Sequence, residues 1–118
     1  MEIKKLDTFI ELAKSKGKKN IAVAAAEDDA VLSAIQAAVH QDLVNPILIG
    51  DKSKILEIAK LINFDVSNYN IIDESIPSKS SILAVKEVRE GRADILMKGL
   101  VSTADFLRAI LNKESGLR

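Results

Sequence analysis

The chain has 118 residues, which suits one domain, and its 47% apolar content excludes an intrinsically disordered protein. Aromatic residues make up only 3%, which argues against a base-stacking surface for single-stranded nucleic acid, and equal numbers of basic and acidic residues, 17 each, leave no net field to attract nucleic acid or an anionic membrane. The absence of cysteine excludes disulfides, thiolate catalysis and thiolate metal sites.

The first predicted element is an amphipathic helix. Leu6, Phe9, Ile10 and Ala13 follow helical spacing, and Gly17 is a typical helix stop. The chain start lacks the apolar core of a signal peptide, and no apolar run reaches the ~20 residues that span a bilayer. We therefore expect a cytoplasmic protein.

A continuous apolar run over residues 20–26 predicts a buried strand, and a helix follows over residues 27–41. Three acidic residues, Glu27, Asp28 and Asp29, open this helix. They suit its positive dipole end, and this interpretation is favoured over an Mg²⁺ site, so no metal is predicted.

The second half repeats the same alternation. Residues 46–50 predict a strand that is followed by a helix with Asp51 as N-cap, and residues 68–73 predict a third strand. The sequence then predicts a helix from Ser78, its N-cap, to residue 90, a fourth strand over residues 93–99 and a last helix over residues 103–113. Because the strands are continuously apolar, the sequence predicts an α/β fold in three layers: an open parallel sheet of at least four strands with helices on both faces.

The turn after the fourth strand, "KGLVSTAD", is the strongest candidate site. Ligands of open α/β sheets lie at the carboxyl ends of the strands. Gly99 permits close backbone approach, Ser102 and Thr103 add hydroxyl donors at a helix start, and Lys98 and Arg108 add cations. This pattern favours binding of an anion such as phosphate.

A purely structural interpretation explains the same residues. Ser102 followed by Asp105 matches a capping box, in which the two side chains satisfy backbone amides of the first turn. Asp105 also carries a charge that repels an anion. Spacing alone leaves both interpretations open, and neither a Walker A loop nor a dinucleotide-binding glycine fingerprint is present.

Other candidates are weaker. The segments "GDKSK" (residues 50–54) and "PSKSS" (residues 77–81) are explained by helix capping. The single histidine, His40, falls near a helix end and has no orienting partner in the pattern, so a catalytic role is not predicted.

The segments "ILMKGLVSTADFLRAILNKESGLR", "IAVAAAEDDAVLSAIQAA" and "NPILIGDKSKI" resemble the phosphate acetyl/butyryltransferase family, in particular its phosphate butyryltransferase members. The resemblance covers essentially the whole chain. It implies an enzyme that transfers a butyryl or other short acyl group between coenzyme A and inorganic phosphate, with acyl-CoA and phosphate as substrates and no further cofactor.

The family resemblance also implies two α/β domains with the active site between them, and a homo-oligomer. The chain, residues 1–118, then corresponds to the N-terminal domain, and the aspartate base expected in the second domain has no counterpart here. The phosphate-side contacts map onto Lys98, Gly99, Ser102, Thr103 and Arg108. The alternative is a non-catalytic α/β module that binds an anion or mediates oligomerisation, and the acyl chain length stays open.

Overall fold

The computed structural model describes residues 18–112 and 114–117, in which four strands alternate with four helices. In chain order these are β1 (Lys19–Ala24), α1 (Asp29–His40), β2 (Val44–Gly50), α2 (Lys52–Leu61), β3 (Asn70–Asp73), α3 (Pro77–Arg89), β4 (Ile95–Lys98) and α4 (Thr103–Leu111). The helix predicted before residue 17 lies outside the described residues.

The four strands form one parallel sheet in the order β3-β2-β1-β4. In the centre, Val23 of β1 lies opposite Leu48 of β2 on one side and Met97 of β4 on the other. After β3 the chain crosses back over the sheet and adds β4 beside β1. The order of connection therefore reverses between β1 and β4, which is the position where open α/β sheets form a ligand crevice.

Helices cover both faces of the sheet, which confirms the predicted three-layer architecture. On one face Leu32 and Ile35 of α1 and Ile55 of α2 pack with the buried side chains of Val23 and Leu48. On the other face α3 packs on β1, β2 and β4, and α4 packs against α3. The small residues Ala22, Ala24 and Ala84 form much of this second core, so α3 approaches the sheet closely.

The start of α3 differs from the prediction that Ser78 is its N-cap. Ile76 occupies the cap position and makes no side-chain cap bond, while Pro77 is the first helical residue. Proline suits that position because its fixed φ is helical and an amide there has no intrahelical acceptor. The Ser78 prediction was therefore wrong by two positions.

The second strand begins two residues earlier than predicted and contains Pro46 in its interior. Pro46 lies opposite Ile21 of β1, but β3 pairs with β2 only from Ile47 onwards. At Pro46, β2 is thus still an edge on one side, and edges tolerate proline.

Candidate functional site

The turn after β4 is fixed to the end of β1 by backbone hydrogen bonds. The Gly99 amide donates to the Ala24 carbonyl at 2.8 Å, and the Leu100 amide donates to the Ala25 carbonyl at 2.7 Å. A methyl group at position 99 would stand 2.2 Å from the Ala25 oxygen and 2.4 Å from the Ala24 oxygen. Only glycine lets the two strand ends approach this closely, so Gly99 fixes the turn against the end of β1.

The helix that follows begins with free donors. Ser102 is the N-cap of α4, and its hydroxyl oxygen accepts a hydrogen bond from the Asp105 amide at 3.1 Å. The amides of Thr103 and Ala104 lie in the first turn and have no intrahelical acceptor. Both residues are exposed, as is Ser102. These groups lie at the positive end of the α4 dipole, where anions are stabilised.

Asp105 and Arg108 form an ion pair on the same helix, with 2.6 Å between Nη1 and Oδ1. The Arg108 side chain is 72% exposed. Only half of the predicted capping box is therefore present: Ser102 accepts from the Asp105 amide, while the Asp105 carboxylate bonds to Arg108. This pairing offsets the negative charge that would otherwise repel an anion at the helix start.

Four of the five predicted contact residues lie on one short segment. Lys98 ends β4 and is exposed, and it has no ion pair within the part of the chain that the structure describes. Gly99 follows it directly, and Ser102 and Thr103 come after two intervening residues. Arg108 stands further along α4 and is linked to the turn through Asp105.

Arg108 also lines a shallow cavity of about 130 Å³ between α3 and α4, together with Asp105, Ser78 and Ser115 among others. The lining of this cavity does not include Lys98, Gly99, Ser102 or Thr103. The structure therefore joins Ser102 to Arg108 through a hydrogen-bonded chain rather than placing all five residues around one cavity.

The acidic trio predicted as equivalent dipole partners of α1 is divided by the structure. Asp28 is the N-cap and accepts from the Val31 amide at 3.0 Å, and Asp29 lies exposed in the first turn. Glu27 instead is 7% exposed and extends over Gly50 at the end of β2, so the prediction for this residue was wrong. Its position directly after a fully apolar run was the only signal of burial in the sequence.

Of the two other hydroxyl-rich segments, residues 50–54 fit the capping interpretation, with Asp51 as the N-cap of α2, whereas in residues 77–81 Ser78 is not the cap because Ile76 occupies that position. Ser80 and Ser81 are buried, and their hydroxyls donate to the carbonyls of Glu74 at 3.1 Å and Pro77 at 3.2 Å. They do not face a ligand. The Ser53 hydroxyl donates to the predicted cap Asp51 at 2.9 Å and, with the Lys54 amide, lowers the pKa of that carboxyl below its ordinary value of 3.8.

Residues 18–112 and 114–117 were searched for metal-binding groups and for membrane-spanning helices. No group of three or more histidine, cysteine, aspartate or glutamate side chains is arranged there to hold a metal ion. Nor does any helix in these ranges combine the length and apolar character that crossing a bilayer requires.

Comparison with known proteins supports the same family as the sequence resemblance. A model of the phosphate acetyl/butaryl transferase family matches residues 5–80. The chain is 50% identical over 115 residues to a phosphate butyryltransferase of Clostridium beijerinckii and 45% identical over 116 residues to one of Clostridium acetobutylicum. Each alignment covers 98% of this chain but 38% of the relative, and an alignment of this length includes the turn after β4.

Solved structures show the same fold. A phosphotransacetylase from Streptococcus pyogenes superposes with a TM-score of 0.73 over 94% of this chain and 42% of that protein, at 21% identity. A branched-chain phosphotransacylase from Enterococcus faecalis gives a TM-score of 0.61 over 79% of this chain and 33% of that protein. The family-model match and the two clostridial relatives, together with the parallel sheet, show that the chain belongs to the phosphate acetyl/butaryl transferase family.

Proposed function

We propose that this chain forms the phosphate-side half of an active site that transfers a short acyl group, butyryl in the first instance, between coenzyme A and inorganic phosphate. The observation that carries the proposal is the turn from Lys98 to Thr103, which is fixed at the reversal point between β1 and β4 and presents free amides, hydroxyls and a cation. The protein that performs the reaction is longer than 118 residues, since this chain spans 38% of the relatives that it matches.

The chemistry requires a fixed site for a multiply charged anion. Phosphate attacks the thioester carbonyl, and the reaction passes through a tetrahedral intermediate that carries an oxyanion. Amide and hydroxyl donors at the start of α4 hold the phosphate oxygens, and Lys98 and Arg108 balance their charge. Gly99 keeps the turn against the end of β1, because a side chain there would meet the Ala24 and Ala25 carbonyls.

The remaining steps need groups outside this chain. When the carbonyl re-forms, the C–S bond breaks and the thiolate of coenzyme A leaves, and a base and acid for that sulfur are expected in the second domain. We therefore propose that the 118 residues alone bind phosphate and acetyl phosphate but do not catalyse turnover. The complete enzyme acts without a further cofactor, as a homo-oligomer in the cytoplasm.

Isothermal titration of the 118-residue chain with phosphate and with acetyl phosphate tests the binding half of the proposal. Ser102→Ala and Lys98→Ala each remove one contact and should weaken binding about three- to tenfold, because a single hydrogen bond or charge contributes about that much in a solvated site. Ser53→Ala at the start of α2 is the matched control and should leave binding unchanged. Absence of phosphate binding by the wild-type chain would contradict the assignment of the turn.

The catalytic half is tested with a full-length chimera. This chain replaces the matching 38% of the Clostridium beijerinckii relative, and turnover of butyryl-CoA with phosphate is measured. The chimera should be active, and Arg108→Ala should lower kcat/KM by at least tenfold. An active chimera whose kcat/KM is unaffected by Lys98→Ala, Ser102→Ala and Arg108→Ala would show that the phosphate site lies elsewhere.

A further inference from the structure

Ala25 follows β1 directly and has a left-handed backbone conformation. Within residues 18–112 and 114–117, three residues other than glycine have a positive φ: Ala25 at 56°, Asp42 at 58° and Asn63 at 56°. Aspartate and asparagine tolerate this conformation well, and both are exposed here. Ala25 is 0% exposed, and its methyl group makes the left-handed region unfavourable. The fold therefore holds Ala25 in a conformation that its own backbone disfavours.

Ala25 is an extra residue in the hydrogen-bond pattern between β1 and β2. Alternate residues of a strand bond to the same neighbouring strand. The Lys19 amide donates to the Leu43 carbonyl at 2.9 Å. Steps of two residues along both strands then pair the amide of Ala25 with the carbonyl of Ile49. Instead the Ala26 amide donates to that carbonyl, at 2.9 Å. One added residue that shifts the pattern in this way is a β-bulge, and bulges often occur beside active sites.

The bulge turns the Ala25 carbonyl toward the turn after β4. In a regular strand, successive carbonyls point to opposite sides. The Ala24 carbonyl accepts from the Gly99 amide at 2.8 Å, as the pairing of β1 with β4 requires. The Ala25 carbonyl accepts from the next amide, that of Leu100, at 2.7 Å. The left-handed backbone of Ala25 therefore supplies a second anchor for the turn.

This second anchor lies at the beginning of the segment that presents the donors. After Leu100 the chain turns tightly, with the Val101 amide donating to the Gly99 carbonyl at 2.9 Å, and Ser102 then caps α4. Because only Val101 separates Leu100 from Ser102, the position of the Leu100 amide determines where α4 begins. Disfavoured backbone conformations that a fold maintains cluster at ligand sites, where they set the geometry in advance.

We propose that Ala25 is a positioning residue for phosphate, whose left-handed backbone holds the turn after β4 in the conformation that binds the anion. The inference rests on the proposed function and deepens it, since Ala25 acts on the ligand only through the turn. Alanine suits this role better than glycine does. Packing leaves alanine a single allowed region, whereas glycine also reaches the mirror-image regions, so a glycine at this position would let the turn move.

Ala25→Gly tests the proposal by phosphate titration of the 118-residue chain. A turn that is in its binding conformation only about 10–30% of the time binds roughly three- to tenfold more weakly, and we expect a loss in this range. The midpoint of thermal unfolding should stay within about 4 °C of wild type, since relief of the disfavoured φ offsets the loss of a buried methyl group. Asn63→Gly, at an exposed residue with the same φ of 56°, is the matched control and should leave phosphate binding unchanged.

Ala25→Ser separates positioning from packing. Serine keeps the Cβ atom that restricts the backbone, so phosphate affinity should stay within about twofold of wild type. Its buried hydroxyl should lower the midpoint of thermal unfolding by roughly 4–8 °C. The glycine variant thus loses affinity and the serine variant loses stability, a division that a residue with only a packing role would not produce.

Two further measurements locate the effect of Ala25→Gly. In the full-length chimera, KM for phosphate should rise about three- to tenfold while kcat and KM for butyryl-CoA stay unchanged, because only the turn is loosened. In the 118-residue chain, amide hydrogen exchange at Leu100 should accelerate at least about tenfold, because its acceptor is no longer held in place. Asn63→Gly should alter neither measurement.

The proposal is overturned if phosphate binds Ala25→Gly as tightly as wild type, if the glycine and serine variants lose affinity equally, or if Asn63→Gly loses as much. Unchanged hydrogen exchange at Leu100 in Ala25→Gly, or an equal rise in both KM values, also overturns it. A wild-type chain that binds no phosphate removes the proposed function and this inference together, whereas wild-type binding that Ala25→Gly leaves intact removes this inference alone.

Discussion

The guanidinium of Arg108 lies 2.6 Å from the carboxylate of Asp105, one turn nearer to the start of α4. Asp105 thus stands between the cation and the exposed amides of Thr103 and Ala104. The charge balance of the candidate phosphate site depends on this pair, because a dipole end and two cations attract an anion that the aspartate repels.

Asp105→Asn should strengthen phosphate binding by the 118-residue chain about threefold at low salt, since it removes a negative charge and releases Arg108. Stability should fall by about 0.5 kcal/mol, because the variant loses a dipole partner and an exposed ion pair. Titration calorimetry and urea unfolding measure the two effects. Asp29→Asn in α1 is the control and should leave phosphate binding unchanged, and weaker phosphate binding by the Asp105 variant would contradict this account of the site.

Gly99→Ala should destabilise the chain by about 2–4 kcal/mol, because the added methyl group would meet two carbonyl oxygens at 2.2 and 2.4 Å. Gly91→Ala is the matched control. Gly91 has a φ of 82° but no atom within 4 Å of the added methyl group, so only the conformational penalty of about 1 kcal/mol applies. Urea unfolding measures both, and equal losses for the two variants would show that the turn after β4 yields to the methyl group.

Ser102→Ala should lower stability by about 1 kcal/mol, since the α4 amide of Asp105 loses its acceptor. Ser102→Asp restores the cap and should recover stability, but its added negative charge should abolish phosphate binding. Thermal unfolding and phosphate titration of the two variants therefore separate the structural role of this residue from the proposed binding role. Phosphate binding that survives in the aspartate variant would exclude Ser102 from the site.

The free energy of unfolding at acidic pH should depend on Asp51 and Asp65. The Ser53 hydroxyl and Lys54 amide lower the pKa of Asp51, and the hydroxyl and amide of Ser67 lower the pKa of Asp65. A carboxyl whose folded-state pKa lies below its unfolded value of 3.8 stabilises the protein above that pH. This contribution is lost as pH falls through the folded-state pKa.

Asp51→Asn should flatten the loss of stability between about pH 5 and pH 2, because asparagine caps the helix equally well but does not titrate. Urea midpoints measured at half-unit pH intervals for wild type and variant give the comparison. Parallel profiles below pH 5 would show that Asp51 titrates identically in the folded and unfolded chain.

The alternation of apolar runs and amphipathic segments was sufficient to predict all four strands and the four helices that the structure describes, since each element follows from local periodicity. The predicted ends of the helices were less accurate where neighbouring residues compete for the same position at a helix start. Ser78 is a good cap by type, but Pro77 beside it is better placed at the first helical position, and proline determined the start of α3.

Local sequence patterns predict which residues of the candidate site lie together in the chain, but not which other strands they contact. Lys98, Gly99, Ser102 and Thr103 are consecutive enough to be recognised together from the sequence. The hydrogen bonds from Gly99 to Ala24 and from Leu100 to Ala25 depend on β1 and β4 being neighbours, and strand order is not encoded in any one segment. Glu27 was grouped with its acidic neighbours for the same reason, since only the pairing of β1 with β2 places Gly50 beneath it.

The outer side of β4 has no strand partner among residues 18–112 and 114–117. Its four residues, Ile95 to Lys98, leave backbone donors and acceptors unpaired along that side. Such a border can template strand-by-strand growth of aggregates, and here its short length and terminal lysine limit the hazard. Replacing Lys98 by an apolar residue would therefore shorten the shelf life of concentrated samples, quite apart from any consequence for ligand capture.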